Sequence, residues 1–553
     1  MKITSIPQIY RNINRWREIL TVLSKYGLAN WIGVLGPDFA KDLFKTHQGE
    51  AIARYRWEIR LRLAIQELGP TTIKLGQMLS TRPDLVGVRL AEELQNLQDS
   101  VAADPPLVVR RLIEQELGQP IDELFDEFEE QAMASGSIGQ VHGARLKSGE
   151  PVVVKVPHAD IARKVAVDTD ILSGLAQMVE RFPEFENYHP RAIAEEFQRT
   201  IRRELDFRRE LRNMQQFSRD FADDPTVHIP RPYPELSTAA VLTMERVEGI
   251  KLSDTAKLKA AGIDLEEVAR RGAHLYLEMI FGNSFYHADP HPGNVLMMAG
   301  GVIGLVDFGM VGRLDERLQE DIEEILFALA SLDAQHLTSI IVRVGAVPAE
   351  LDRAALGVDV ADFISYYGNQ SLEDFDLSGA LREMIEIIRR YHISLPARIT
   401  MLIKVLVSLE GTGRLLNPRF SLLETMRPYR TTMFLRRLSP RRKVRKLRRL
   451  YAEIGHLIEV LPQGLMDIME QVQSGKFDVH LEHRGLEPSV NRLVLGMLTS
   501  ALFLGSSMLL RTNVPPAPWG FSIPGATGCL VSLVLGYWLW RAISKSGRLV
   551  RRK

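Results

Sequence analysis

The chain has a single cysteine, Cys529, among 553 residues, which excludes an intramolecular disulfide and any zinc site built on several thiolates. That scarcity suits a reducing compartment. It also lacks a charge excess. Lys+Arg and Asp+Glu stand at 69 each, so net charge argues neither for nor against a nucleic-acid partner, and local distribution must decide. The opening stretch, MKITSIPQIYRNINRWREIL, lacks the apolar core and small-residue cleavage site of a secretory signal and reads as a basic amphipathic surface helix. Fixed-period repeats and low-complexity tracts are missing as well. What remains is ordinary globular composition, 45% hydrophobic, at a length that points to several folded units.

Two stretches near the end lack charge altogether: residues 493–510, LVLGMLTSALFLGSSMLL, and 523–540, IPGATGCLVSLVLGYWLW. As helices each would run about 27 Å, enough to cross a hydrocarbon core. Trp519, Trp538 and Trp540 sit near segment ends, where indoles prefer the interface. Gly528, Ser532 and Gly536 form a small-residue stripe that lets another helix approach. Arg484 and Arg492 precede the first stretch, and Arg541, Lys545, Arg548, Arg551, Arg552 and Lys553 follow the second, whereas the turn holds only Arg511. Such a bias puts both ends on the cytoplasmic side. The competing reading is a buried hairpin of a soluble domain. Upstream, residues 427–449 carry Arg436, Arg437, Arg441, Arg442, Lys443, Arg445, Lys446, Arg448 and Arg449 and no acidic residue. With apolar spans close behind, lipid headgroups suit this run better than nucleic acid, and a solvated helix face is the plain alternative.

Between the ends the periodicity changes. Residues 50–125 read as helical, with a break at Gly69-Pro70 before TTIKLGQMLSTRPDL. VHGARLKSGEPVVVKV reads as two strands around Ser148-Gly149. A helix is expected over about 190–218, then a strand in TAAVLTMERVEGI. From Leu265 to about Arg427 the chain reads as helical, except for a strand pair around NVLMMAGGVIGLVDFG.

Three stretches carry chemistry. VVVK places Lys155 at the end of a buried strand, where its amine would contact nucleotide phosphates and a carboxylate from the following helix would orient it. HADPHPGN sets Asp289 five residues before Asn294, an acid to receive or position a proton and an amide to bind a metal. VDFG puts Asp307 after a short strand, ready for Mg²⁺. Each motif alone is weak; the three in this order and strand context are not. His287 and His291 resemble hydrolase metal ligands, but Pro290 and Pro292 prevent the helical face that an i, i+4 zinc pair needs, so His287 is expected to pack beneath the loop.

These residues, together with KLGQ at Lys74, Gly76 and Gln77, SIGQVHGARL, RELDFRRE at Glu204 and Asp206, and FYHADPHPGN, make the chain resemble the UbiB/AarF family of atypical protein-kinase-like ATPases over roughly residues 20–430. The resemblance implies an α+β, two-lobed kinase-like fold with a helical N-terminal extension (1–125), an N-lobe (126–247) and a C-lobe (248–430). A basic linker (431–490) and a transmembrane hairpin with its tail (491–553) complete the division. It implies ATP and Mg²⁺ as cofactors. Asp289 and Lys155 would be catalytic, and Asn294 and Asp307 would hold the metal. The nucleotide loop would be Ala134, Ser135, Gly136 and Ser137, where the family typically has alanines. Gly136 would allow positive φ and closer approach of backbone to phosphate, or would merely ease a turn. Glu204 is the expected partner of Lys155 or Lys74, with Asp206 second. Lys74 and Gln77, three apart, would share a helix face covering the site and filling the groove of a protein substrate. Glu245 and Val247 fall at the hinge, where backbone from Met244 to Val247 would hold adenine.

The function so implied is ATP turnover supporting isoprenoid-quinone (ubiquinone) biosynthesis at the inner, cytoplasmic membrane. Its partners would be membrane lipids, quinone intermediates and quinone-biosynthesis enzymes, with no nucleic acid. Phosphotransfer to a protein or small lipid, or a non-catalytic scaffold, are the alternatives. The sequence leaves the oligomeric state open, a dimer included.

Overall fold

The computed structural model describes residues 13–28, 55–97, 101–180, 189–348, 350–368, 370, 375–426, 486–512, 514–516 and 522–545. They belong to two compact units that divide between Ser439 and Pro440.

The first unit opens with helices α1 (Ile13–Lys25), α2 (Trp57–Leu68), α3 (Pro70–Ser80), α4 (Pro83–Val86) and α5 (Val88–Gln95). Gly69, at φ 99°, separates α2 from α3, and Pro70 begins α3, where a missing N–H costs nothing. The glycine of KLGQ has a packing reason. A Cβ on Gly76 would run into Leu97 and lie 3.2 Å from Ile65 Cγ2, so α3 can cross α2 and the end of α5 closely only without one. Trp16 and Leu20 of α1 pack on Ile171, and Arg15 pairs with Asp168 at 2.7 Å, as expected of a surface helix of the fold.

The N-lobe adds α6 (Pro106–Leu117), α7 (Ile121–Leu124), β1 (Phe125–Phe128), β2 (Ala134–Ser135), β3 (Gly139–Leu146) and β4 (Pro151–Pro157). Then come α8 (Ile161–Val179), α9 (Pro190–Glu204), α10 (Phe207–Asp220), β5 (Val227–His228) and β6 (Leu242–Glu245). The antiparallel sheet runs β1-β3-β4-β6, with β2 beside β3. Alternation along β4 buries Val152, Val154 and Val156 against Val109, Ile113 and Ile121 and turns Val153 and Lys155 to the opposite face. Helix α6 therefore belongs to the N-lobe core, and the extension ends before Pro106 rather than at 125. The single helix expected over 190–218 is two helices. Asp206 ends the run by capping α10, accepting from the Arg208 N–H at 3.2 Å.

The C-lobe contains β7 (Ile250–Lys251), α11 (Thr255–Ala260), α12 (Leu265–Leu277), β8 (Phe285–His287), β9 (Val295–Met297), β10 (Ile303–Leu305) and β11 (Val311–Arg313). Helices α13 (Glu316–Ala330), α14 (Ala334–Val344), α15 (Arg353–Gly368), α16 (Leu377–Arg390), α17 (Ala397–Leu416) and α18 (Leu422–Thr425) follow. One sheet has the order β5-β10-β9-β7, and β8 pairs with β11. The main core runs from Phe207, Met214 and Phe217 of α10 through Tyr286 and Phe308 to Val405 of α17. A second core unites α13 to α16 around Ile340, Leu356, Val360 and Ile387. The extension is fastened here. Arg82 and Asp84, 6% and 1% exposed, pair with each other, and Asp84 accepts from the Leu395 N–H at 3.2 Å.

The second unit is described only as α19 (Leu486–Arg511) and α20 (Ile523–Lys545). Their segments 493–511 and 523–541 are long and apolar enough to cross a membrane, and 6% and 11% of each is buried. The helices meet through small residues: Gly528 faces Ser506, and a Cβ on Gly525 would lie 2.9 Å from the Ser506 carbonyl. The basic run 427–449, Trp519, Arg484 and the tail from Arg548 lie outside the described residues, as does 431–485 of the expected linker.

Candidate functional site

The four expected groups fall into two pairs, tied to each other through backbone and His287. Lys155 Nζ, carried by β4, lies 3.5 Å from Asp307 Oδ1. Asn294 Nδ2 donates to Asp289 Oδ2 at 2.8 Å. His287, fully buried beneath the loop as expected, joins the two halves. Its Nε2 donates to the Asp307 carbonyl at 2.7 Å, and its Nδ1 accepts from the Asp289 N–H at 3.3 Å. The Val306 N–H donates to the Asn294 carbonyl at 3.0 Å, completing the tie. His291 is engaged elsewhere, its Nδ1 accepting from the Gly293 N–H at 3.1 Å.

Asp307 stands at φ 61°, a left-handed conformation that costs a non-glycine residue about 1–3 kcal/mol. The neighbours hold it there. Phe308 is sealed in the core beside Phe217 and His287, and the Gly309 N–H donates to Asp307 Oδ1 at 3.2 Å. Lys155 foremost, and Lys74 beyond it, hold the Asp307 carboxyl well below the usual carboxylate range. Burial disfavours the Lys155 charge, but Asp307 and Glu210 outweigh it and raise that lysine above its ordinary range.

The orienting carboxylate is Glu210, not Glu204. Both Glu210 oxygens accept from Lys155 Nζ at 2.9 Å. Burial pushes Glu210 up while Lys155 pulls it down. One signal in the sequence could have found it. Phe207, Glu210, Met214 and Phe217 are the buried positions of α10, so Glu210 is the one carboxylate on an apolar stripe. Glu204 pairs instead with Lys74, at 3.0 Å, which brings α3 to the corner between α9 and α10. Leu75 and Met78 of α3 pack around Ile138, Phe197 and Ile201, the first of these just past Ser137. Gln77 lies on α3 one turn after Lys74. Asp206 meets neither lysine; its carboxylate takes Arg208 Nε at 2.8 Å.

In the loop expected to hold nucleotide, Ala134 is exposed, Ser135 and Gly136 are half-buried and Ser137 is buried. Gly136 does not adopt positive φ, and a Cβ there would meet only the Gly139 carbonyl at an ordinary 3.5 Å. The conformational reason anticipated for this glycine is absent. At the hinge, the Glu245 side chain turns to His228 Nε2 at 3.0 Å and the Arg231 N–H at 3.0 Å, so only backbone is left there for a base. Val247 follows β6 without a backbone hydrogen bond to another described residue.

The donor set fits Mg²⁺. Asp307, an ionised carboxylate 55% exposed, and the oxygens of Asn294 and Asp289 are hard ligands. Among the described residues no group of three or more His, Cys, Asp and Glu forms a full protein cage. Mg²⁺ takes one or two carboxylates and completes its shell with water and phosphate.

Comparison with known proteins gives the family. The ABC1 atypical kinase-like domain matches residues 96–341, the UbiB helical domain 360–421 and the ABC1/UbiB kinase-like C-terminal domain 480–545. A "Probable protein kinase UbiB" of Pseudomonas aeruginosa is 34% identical over 83% of this chain and 86% of its own. One of Shewanella piezotolerans is 32% identical over 88% and 89%. An uncharacterized protein from a hydrogenase 1 5' region of Clostridium pasteurianum is 30% identical over 88% and 93%. Among solved structures, a complex of Rv3197 with erythromycin from Mycobacterium tuberculosis has a TM-score of 0.44 at 21% identity, covering 66% of this chain and 92% of that one. With its two-lobed architecture, these three domain matches and relatives of this extent, the chain belongs to the UbiB family of atypical kinase-like proteins.

Proposed function

We propose that the chain binds ATP with Mg²⁺ between its lobes and turns it over at a membrane, in support of ubiquinone biosynthesis. The carrying observation is the closure of Lys155 on Asp307 at 3.5 Å, beside the joined pair Asp289–Asn294. In this reading Lys155, held by Glu210, grips phosphate oxygens. Asp307 and Asn294 hold Mg²⁺, which when bound neutralises charge on those oxygens. Asp289 receives or positions the proton of the attacking water or hydroxyl, its carboxylate aimed by Asn294. Backbone from Met244 to Val247 holds the adenine.

The apolar helices α19 and α20 support a membrane-anchored, lipid-phase role, with both ends cytoplasmic by the positive-inside rule. ATP turnover would then drive presentation of an isoprenoid-quinone intermediate to soluble biosynthetic enzymes. Phosphotransfer is the second reading. The ion pair Lys74–Glu204, which draws the extension to the α9–α10 corner, disfavours a large protein acceptor.

The test is ATP hydrolysis by the purified full chain, with and without lipid vesicles and a quinone head-group mimic, beside Asp307→Asn. Hydrolysis stimulated by these additions and lost in the variant is the expected result. Hydrolysis indifferent to Asp307 overturns the catalytic assignment. Labelled phosphate appearing on protein or lipid favours the second reading.

A further inference from the structure

We infer that His158 and Asp104, which lie outside every motif above, are positioning residues that aim the nucleotide loop. The inference rests on the ATP reading just given. Gly136 stands in the turn from β2 to β3, its N–H donating to the Gly139 carbonyl at 2.8 Å. Its own carbonyl accepts from His158 Nε2 at 2.9 Å. Carbonyl and carboxylate oxygens only accept, so Nε2 donates to Gly136 and Nδ1 to Asp104. The other ring nitrogen, Nδ1, lies 3.1 Å from Asp104 Oδ2. The same oxygen accepts from the Ala159 N–H at 2.8 Å, and the Asp104 N–H donates to Gln140 Oε1 at 2.7 Å. Gln140 is fully buried and opposes Ser135 in the β2–β3 pairing. The His158 N–H donates to the Ile138 carbonyl at 2.9 Å. One buried residue, 6% exposed, therefore holds the loop at two carbonyls and is itself held by Asp104.

The consequence follows from peptide geometry. In a trans peptide the C=O and the next N–H point in opposite directions. Holding the Gly136 carbonyl fixes the direction of the Ser137 N–H. Ser137 is 2% exposed, and no described residue accepts its N–H. Ser135 Oγ is likewise buried without a partner. A buried donor without an acceptor is rare in a folded protein. Two such donors flanking one glycine fit the oxygens of a phosphate, which backbone N–H groups in tight turns commonly bind. The base of the loop lies close against β4, where a Cβ on Gly139 would strike the Val156 carbonyl, next to Lys155. Aim is thus set by the chain Asp104, His158, Gly136 carbonyl, Ser137 N–H.

The test compares the full chain in detergent with His158→Gln, His158→Asn, Asp104→Asn and Asp307→Asn, using fluorescent ATP and ADP analogues at varied Mg²⁺. In His158→Gln the amide nitrogen reproduces Nε2 and keeps the bond to Gly136. In His158→Asn the shorter amide reproduces Nδ1 and faces Asp104 instead. Gln should bind nucleotide within about twofold of the parent, and Asn should lose about fivefold to tenfold, the worth of one hydrogen bond. Asp104→Asn should fall between them. Melting temperatures of the two His158 variants should move alike, so stability does not account for the split. Unchanged affinity in both variants, or equal weakening of both, overturns the positioning role. No nucleotide binding by the parent, or unaltered metal dependence in Asp307→Asn, overturns the ATP reading first and the loop assignment with it.

Discussion

Replacing Glu210 with Gln separates what the buried carboxylate does for the site from what it does for the fold. It sits 2.9 Å from Lys155 Nζ, where a charge pair is worth about 6 kcal/mol gross at an effective dielectric near 20. Much of that is offset, because burial already works against the Glu210 charge and pushes its carboxyl up. The variant removes both the attraction and the penalty. Lys155 is not orphaned either, since Asp307 remains 3.5 Å away. Stability should therefore fall by at most about 2 kcal/mol. Function should suffer more. Released from Glu210, the lysine shifts toward Asp307, the carboxylate assigned to the metal. ATP turnover should drop about 10- to 100-fold, the worth of one charge-assisted hydrogen bond, with half-saturation moved to higher Mg²⁺. Thermal melts and hydrolysis measured across a Mg²⁺ series supply both readouts. Full activity with an unshifted Mg²⁺ profile would refute the assignment of Glu210 as the residue that holds Lys155 off the metal ligand.

Gly136→Ala should leave nucleotide affinity within about twofold, since the added methyl meets only an ordinary 3.5 Å contact; a tenfold loss by titration would contradict this. Gly76→Ala should destabilise the extension by about 1–3 kcal/mol through overpacking against Leu97 and Ile65, and an unchanged thermal midpoint would show that α3 is not wedged there. The last prediction concerns acid. The Asp307 carboxyl is lowered from 3.8, chiefly by Lys155, so its contribution to stability is complete above that value and fades as pH falls below it. Denaturation midpoints of the parent and Asp307→Asn should converge on acidification, and a gap that widens would reverse the sign.

Lys155, Asp289, Asn294 and Asp307 were legible because each belongs to a short motif whose chemistry requires that residue type at that spacing. The β3–β4 hairpin and the Gly69-Pro70 break were legible for a similar reason, since alternation and backbone punctuation are local. Helix α8 escaped notice. Glu210 was passed over because Glu204 and Asp206 stood in the more conspicuous motif. Which of three carboxylates within seven residues meets a distant lysine depends on the phase of α10, and that phase is reset by the cap at Asp206.

By itself the sequence determined which groups are available, in what order, and on what kind of element, because strand alternation, turn chemistry and uncharged length are properties of neighbouring residues. Only the tertiary structure decided the pairings: Lys155 with Glu210, Lys74 with Glu204, His158 with the Gly136 carbonyl. Each joins segments that meet only after the sheet and helices have packed, so its geometry is set by the whole core and not by any local pattern.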